Sequence, residues 1–458
     1  MPKIRKSTGP ETGPTSFDTT SLSSAEGLSD FATPSSPVEV VERRLDGSVY
    51  AGARWDATSL GTVMEHLTES ESALKAVAGE RLATVWQEAV DELRRRCRDP
   101  ESPLHGVLVR ASGLSSPGLT AAVDQILDGV VTRAAVDLLM SSAPLSGPSG
   151  GSVVVSASSN LPALAVQSLL PALVSRRPLL VKSASAEPFF APAFIAALAR
   201  REPVLGRALA AVTWPGGDLA LERAACAPAS RLIAYGDGDT ERALRSRWGA
   251  KLLMHGPKIS LAVLGDDVAP LQVAPGLARD VALFDQRGCL SIQAVVVVGD
   301  RARETAQALL DPLADALAEL SRSLPPGPLG TAKAAARHWR DEAIMGGLSL
   351  ADLPLSAGTV IVDGPSAGLS AGPSVLQPSP GGRCLRIHPS STDGLAVLLE
   401  PWRGRLQGVA VAGALPSSVP SLLQELGVTH VASPGELQAP DVATWHNGGV
   451  APLRPFLD

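Results

Sequence analysis

Cysteine is scarce in this chain, with four in 458 residues, at Cys97, Cys226, Cys289 and Cys384. They lie too far apart for the paired spacing of a zinc site or a disulfide framework, which points to a reducing, cytoplasmic setting. Long apolar runs are missing as well. No stretch is long enough to span a bilayer, and Met1 to Pro37 has no apolar core like that of a signal peptide, so a soluble protein is expected. Strong charge of one sign is absent too: the formal net charge is -6, and the basic residues are scattered, unlike the stripe that binds nucleic acid. The exception, Arg94-Arg95-Arg96-Cys97-Arg98, ends a stretch in which Leu82, Val85, Trp86, Val90 and Leu93 recur at helical spacing, which suits a helix C-terminus. There is no internal repeat, and no G-x-G-x-x-G fingerprint follows any strand-like run.

What is present is enough apolar material, 45% of residues, for large cores. Residues 1–37, rich in Ser, Thr, Pro and Gly, read as a mobile tail. Val38 to Tyr50 reads as extended, Ala57 to Arg98 and Leu119 to Met140 as helical, and Ser141 to Gly151 as a break. From Ser152 to His255 five short apolar runs alternate with helix-length segments: Val153 to Val155, Leu179 to Val181, Ala211 to Thr213, Leu232 to Ala234 and Leu252 to Met254. That rhythm implies parallel βαβ units, whose ligands bind beyond the carboxyl ends of the strands. The residues there are small, polar or glycine-rich: Ser156 to Asn160, Lys182-Ser183, Trp214 to Asp218, Tyr235 to Thr240 and His255-Gly256. Such turns let backbone N–H groups approach a phosphate, although each glycine also serves as a plain turn or cap residue.

A second α/β unit begins with Ile259 to Leu264 and continues through Phe284-Asp285-Gln286-Arg287-Gly288-Cys289-Leu290-Ser291 into a strand at Ala294 to Val298. A thiol on a glycine-led turn before a strand suits a nucleophile, and the plain alternative is a small buried side chain. Ala302 to Leu324 and Lys333 to Ile344 read as helices, and Thr359 to Val362 as a strand inside the loose stretch Pro354 to Gly382. Leu395 to Leu399, Gly408 to Ala412 and Thr429 to Ala432 read as strand-like or buried pieces. Cys226 and Cys384 read as packing, and His338, Trp339 and His446 receive no role.

Several ordered motifs carry a resemblance. Asn160-Leu161-Pro162 opening a helix, Val181-Lys182-Ser183-Ala184-Ser185, and the Gln-x-Gly-Cys loop before a strand resemble the aldehyde dehydrogenase superfamily. Trp214-Pro215-Gly216-Gly217-Asp218, Ala234-Tyr235-Gly236, His255-Gly256-Pro257-Lys258 and Asp285 to Ser291 resemble, more narrowly, the long-chain acyl-CoA reductases that supply aldehyde to bacterial luciferase. The resemblance runs from about Gly151 to the C-terminus and weakens between Arg301 and Gly382. Ile292 and Lys258 depart from the proline and arginine of that family.

The resemblance implies an α/β fold of the aldehyde dehydrogenase kind, with a nucleotide-binding parallel sheet and a second α/β catalytic domain. It divides the chain into a tail (1–37), a helical part (38–150), a nucleotide-binding core (151–257), a catalytic domain (258–430) and a returning C-terminal segment (431–458). By the same likeness Cys289 is the nucleophile, Asn160 with the Cys289 N–H forms the oxyanion hole, and His255 is a proton donor or thioester contact. Asn160 as a helix N-cap and His255 as a strand-end residue are the plain readings. Lys182 and Ser183, with Gly216, Gly217, Gly236 and Thr240, match the cofactor side, for NADPH with NADH as the alternative. The implied substrate is a fatty acyl-CoA or another acyl thioester, and the chain is expected to form a homo-oligomer, with an acyl-transfer enzyme as a further partner. Water-activating superfamily members carry a glutamate where this chain has Met254, which fits a reductase. The rival expectations are an aldehyde dehydrogenase forming acid and a catalytically silent scaffold.

Overall fold

The computed structural model describes residues 30–32, 40–45, 48–142, 150–158, 160–328, 330, 332–364 and 376–457. A hairpin of β1 (Val40–Leu45) and β2 (Ser48–Ala53) precedes the helices Ala57–Glu69, Glu71–Lys75, Gly79–Arg98, Pro103–Ser112, Ser116–Asp128 and Arg133–Ser141. The basic run does end a helix: Gly79–Arg98 turns Leu82, Val85, Trp86, Val90 and Leu93 inward, and Arg95, Arg96 and Arg98 occupy its last turn. The helix Pro103–Ser112 was not read from the sequence.

Five parallel strands follow: β3 (Val153–Ser156), β4 (Leu179–Lys182), β5 (Leu209–Val212), β6 (Arg231–Tyr235) and β7 (Leu252–His255), in the order β5-β4-β3-β6-β7. Their continuous apolar runs arise because both faces are covered. Val153, Val155, Leu179 and Val181 pack into the core on one face. Val154, Leu180, Ala210 and Leu232 point into the core on the other. Strand order reverses between β3 and β6, so the turns after these strands open into a crevice.

Three residues, Gly256 to Lys258, carry the chain into a second sheet built from β8 (Ile259–Gly265), β9 (Ile292–Val298), β10 (Ser349–Leu350), β11 (Thr359–Val362), β12 (Cys384–Ser390), β13 (Leu406–Ala412) and β14 (His430–Ala432). Its order is β10-β11-β12-β9-β8-β13-β14, parallel except for β10 against β11. Val295 and Val297 face one core, Val296 and Val298 the other. The last residues return to the first sheet. Arg177 Nε donates to the Phe456 carbonyl at 2.9 Å, and Val442 N to the Gly129 carbonyl at 3.2 Å.

Three expectations are corrected. Leu395 to Leu399 belongs to the helix Thr392–Leu399, N-capped by Ser391, whose Leu395, Leu398 and Leu399 are buried. Asn160 is not a helix N-cap: Ala163 takes a left-handed φ of 65° and the helix starts only at Val166. Within the segment read as a mobile tail, residues 30–32 are built into the fold. Phe31 pairs with Ala211 on the edge strand β5, and the buried Asp30 carboxylate accepts N–H groups from Ala53, Trp55 and Thr213. The rest of that expectation lies outside the described residues. Among the described residues no helix is long and apolar enough to cross a membrane.

Candidate active site

The loop that presents Cys289 is held in a conformation its own residues disfavour. Phe284, Asp285 and Gln286 have φ of 62°, 49° and 60°, three consecutive left-handed non-glycine residues. Each costs on the order of 1–3 kcal/mol and persists only where neighbours over-determine it. Here they do. Asp285 accepts from Arg383 Nε at 3.0 Å and Nη2 at 2.7 Å, and from Gly327 N at 2.9 Å. The buried Gln286 amide donates to the carbonyls of Ile292 and Cys384 and accepts from Ser379 Oγ and Cys384 N.

The turn itself is closed by hydroxyls. Ser291 Oγ accepts from Gly288 N and donates to Gln438 Oε1, both at 3.1 Å. Ser260 Oγ donates to the Cys289 carbonyl at 2.8 Å and accepts from Gly408 N at 3.0 Å. A Cβ on Gly288 would stand 3.0 Å from Gln438 Oε1 and 3.1 Å from Ser291 Oγ, so the glycine admits this close packing. Ser260, Ser291, Gln438, Asp285 and Arg383 therefore set the backbone around Cys289. None was given an individual role from the sequence, since apart from the Ser291 bond to Gly288 their partners are distant in the chain.

Cys289 is exposed, whereas Cys97, Cys226 and Cys384 are buried. It opens into a cavity of about 500 Å³ whose lining also includes Asn160, Tyr235, Gly236, His255 and Trp445. Protein surrounds the sulfur on its other sides, and this burial pushes the thiol up to about 11 against the opposing pull of the Cys289 and Leu290 backbone N–H groups. His255 stacks on Tyr235 at 4.8 Å and 14°. Burial, then the charge of Lys258, pushes it down to about 4, so it is neutral at neutral pH. Burial also raises Tyr235 to about 12, opposed by its hydrogen bond with Ser168. No Asp or Glu lines the cavity among the described residues.

Asn160 reaches across the crevice. Its Nδ2 donates to the Arg287 carbonyl at 2.9 Å, and Ser158 Oγ donates to its Oδ1 at 2.5 Å. The cavity thus brings together Cys289, Asn160, His255 and Gly236. Lys182, Ser183, Gly216, Gly217 and Thr240 stand outside its lining, along the carboxyl edge of the first sheet.

At that edge the Lys182 ammonium lies 5.7 Å from the Trp214 ring centroid, and burial lowers its pKa. Glu222, whose charge reaches Lys182, is already bound by Arg247 Nε at 2.6 Å, Arg247 Nη2 at 2.9 Å and Trp248 Nε1 at 2.7 Å. Ser183 is buried, with its hydroxyl unpartnered among the described residues. A Cβ on Gly216 or Gly217 would meet nothing within 4 Å, so this turn is open. Gly236 packs on Thr240, where a Cβ would approach to 2.8 Å. The helix after it is capped by Asp237, which takes the Thr240 N–H at 2.9 Å, and the helix after β5 is capped by Asp218. Both helix N-termini already hold a carboxylate. The edge fits a dinucleotide through Lys182, Trp214 and the open Gly216-Gly217 turn.

Residues 146–457, well over half of the chain, match the family model described as Acyl-CoA reductase (LuxC). The chain belongs to this family. Among curated proteins it is similar to long-chain acyl-protein thioester reductase 2 of Photobacterium leiognathi, at 30% identity over 188 residues covering 39% of this chain and 38% of that one. It is also similar to the long-chain acyl-protein thioester reductase of Photorhabdus luminescens, at 28% identity over 164 residues covering 34% and 33%. The match thus spans between a third and two fifths of these relatives' length. Among solved structures it resembles an oxidoreductase from Marinobacter aquaeolei, with TM-score 0.70, 15% identity and coverage of 95% and 97%. Aldehyde dehydrogenase 21 from Physcomitrella patens, in complex with succinate, gives TM-score 0.69, 16% identity and coverage of 95% and 96%. The family member thus has the aldehyde dehydrogenase fold.

Proposed function

We propose that this protein reduces a long-chain fatty acyl thioester to fatty aldehyde through an acyl group carried on Cys289. The observation that carries this reading is an exposed thiol in a cavity whose lining, among the described residues, holds no carboxylate. A carboxylate there would activate water and hydrolyse the acyl-cysteine to acid, and its absence counts against the aldehyde-oxidising alternative. The division at residue 257/258 into a cofactor part and a catalytic part belongs to the same proposal.

In this mechanism the Cys289 sulfur, having lost its proton, adds to the thioester carbonyl, and the bond to the carrier sulfur breaks as the carrier thiol leaves. Negative charge on the carbonyl oxygen is met by the Cys289 N–H and by Asn160, whose amide leaves the Arg287 carbonyl to donate to it. Lys182 and Trp214, with the Gly216-Gly217 turn, would hold a reduced nicotinamide cofactor, which would supply a hydride to the acyl carbon on Cys289. Collapse of the resulting thiohemiacetal frees the aldehyde and restores the sulfur. Neutral His255, stacked on Tyr235, acts as a hydrogen-bonding wall rather than as an imidazolium acid. Lys182, with Glu222 occupied by Arg247, keeps its charge for a 2′-phosphate, which favours NADPH over NADH. The relatives are named for acyl-protein thioesters, so coenzyme A, an acylated protein and a homo-oligomeric assembly with an acyl-transfer partner all stay within the proposal.

The test is incubation with long-chain acyl-CoA or acyl-protein and NADPH, following nicotinamide oxidation and thiol release together. Both signals should appear, and Cys289→Ala should lower both by about a thousandfold or more. Undiminished signals in that variant would remove Cys289 from the reaction.

A further inference from the structure

The Cys289 turn is held through a chain of hydrogen bonds that ends on a buried carboxylate. Ser291 grips Gly288 from both sides: its N–H donates to the Gly288 carbonyl at 3.0 Å, and its Oγ accepts from Gly288 N at 3.1 Å. A planar trans peptide sets its N–H opposite its C=O, so fixing the Gly288 carbonyl aims the Cys289 N–H. The Ser291 hydroxyl proton goes to Gln438 Oε1 at 3.1 Å. That oxygen is presented because the other end of the amide, Nε2, donates to the carbonyls of Asp280 at 2.5 Å and Leu283 at 3.3 Å. The direction of every bond in the chain is therefore set at the end of the helix Pro270–Ala282.

Gln438 closes a strap, residues 433–438, that leaves β14 and lies on this helix. A Cβ on Gly276 would stand 2.3 Å from the Pro434 carbonyl oxygen, so the two backbones touch. Four residues further along, Asp280 is 1% exposed, and its Oδ2 accepts from Gly435 N at 2.7 Å. Burial pushes this carboxyl up to about 6, against the pull of the Gly435, Leu437 and Gln438 N–H groups, so it is ionised at neutral pH. A buried negative charge in the last turn of a helix is opposed both by desolvation and by the helix dipole. Asp280 stands outside the lining of the Cys289 cavity. What it secures is the strap, and the strap delivers Gln438.

We infer that Asp280 is a positioning residue for acyl transfer: its carboxylate pins the strap, and through Gln438 and Ser291 it aims the Cys289 N–H at the carbonyl oxygen of the substrate. This rests on the thioester reading above and adds to it a residue that never touches the substrate.

The experiment is a double-mutant cycle between Asp280→Asn and Ser291→Ala in the whole protein, with NADPH and long-chain acyl-CoA or acyl-protein, whichever is turned over. Each single variant should lower kcat about tenfold or more and leave KM for NADPH within about twofold of native. Combined, they should cost no more than the larger single loss, because both act on one peptide. A role in folding alone would lower the urea midpoint and leave kcat of the folded protein unmoved. Losses that multiply, or an unchanged kcat in Asp280→Asn, overturn the inference while leaving thioester reduction standing. If no thioester is reduced, the function fails separately, and amide hydrogen exchange decides. Asp280→Asn should then speed exchange across residues 284–291 about tenfold while β3 keeps its native rate, and equal change in both segments, or none, overturns the inference. Should Asp280→Asn not fold, Asp280→Glu, which keeps the charge but displaces it, is read by the same measurements with the same outcomes.

Discussion

The two sides of the crevice are built on opposite plans. On the first sheet the turns after β5 and β6 are local devices: Asp218 and Asp237 cap the helices that follow them, and Gly216 and Gly217 leave open space. On the second, the stretch from Phe284 to Ser291 is strained and is fastened by side chains from 29 to 147 positions away, among them Ser260 and Gln438. One region leaves space beside its turns. The other fixes a sulfur against its own backbone preferences, which is where strain is useful for chemistry.

This contrast can be broken first at Arg383. Arg383→Ala leaves the Asp285 carboxylate without its buried partner, and urea unfolding should show a loss of about 3 kcal/mol. A loss under about 1 kcal/mol would mean that the loop does not depend on that pair. The second test sharpens the electrostatic side. With its thiol near 11, Cys289 should be alkylated by iodoacetamide about tenfold faster per pH unit from 7 to 10, because only the thiolate reacts. A plateau before pH 9 would show a thiol more acidic than its surroundings dictate. Third, Lys182→Ala should raise KM for NADPH about tenfold, KM for NADH less, and leave kcat close to native. Equal effects on both cofactors would remove the 2′-phosphate contact. The smallest effect is expected at Gly216→Ala, where a methyl meets open space and stability should change by less than about 0.5 kcal/mol. A larger loss would show that the first region is as tightly determined as the second.

The same contrast governs what could be read in advance. β3, β4, β5 and the middle of β6 show in the sequence as apolar runs because they are buried on both faces, while the edge strand β7 is mostly half-buried. Cys289 shows as a thiol before such a run. Thr392–Leu399 was misread because a short buried run such as Leu395 to Leu399 has no period long enough to separate strand from helix. Phe31 was hidden because three ordered residues weigh little against the Ser- and Pro-rich composition around them. The left-handed run at Phe284 to Gln286 leaves no trace in residues that carry no glycine, and its support from Arg383 and Ser379 exists only in three dimensions.

The Asp30-Phe31-Ala32 patch has a practical reach beyond the crevice. It seals the outermost strand of the nucleotide-side sheet, with Phe31 and Ala211 exchanging both backbone hydrogen bonds at 2.7 Å. A shortened chain beginning at residue 33 would offer a bare row of amides and carbonyls to the next molecule, so trimming the opening segment for convenience would trade a well-behaved protein for a self-adhesive one.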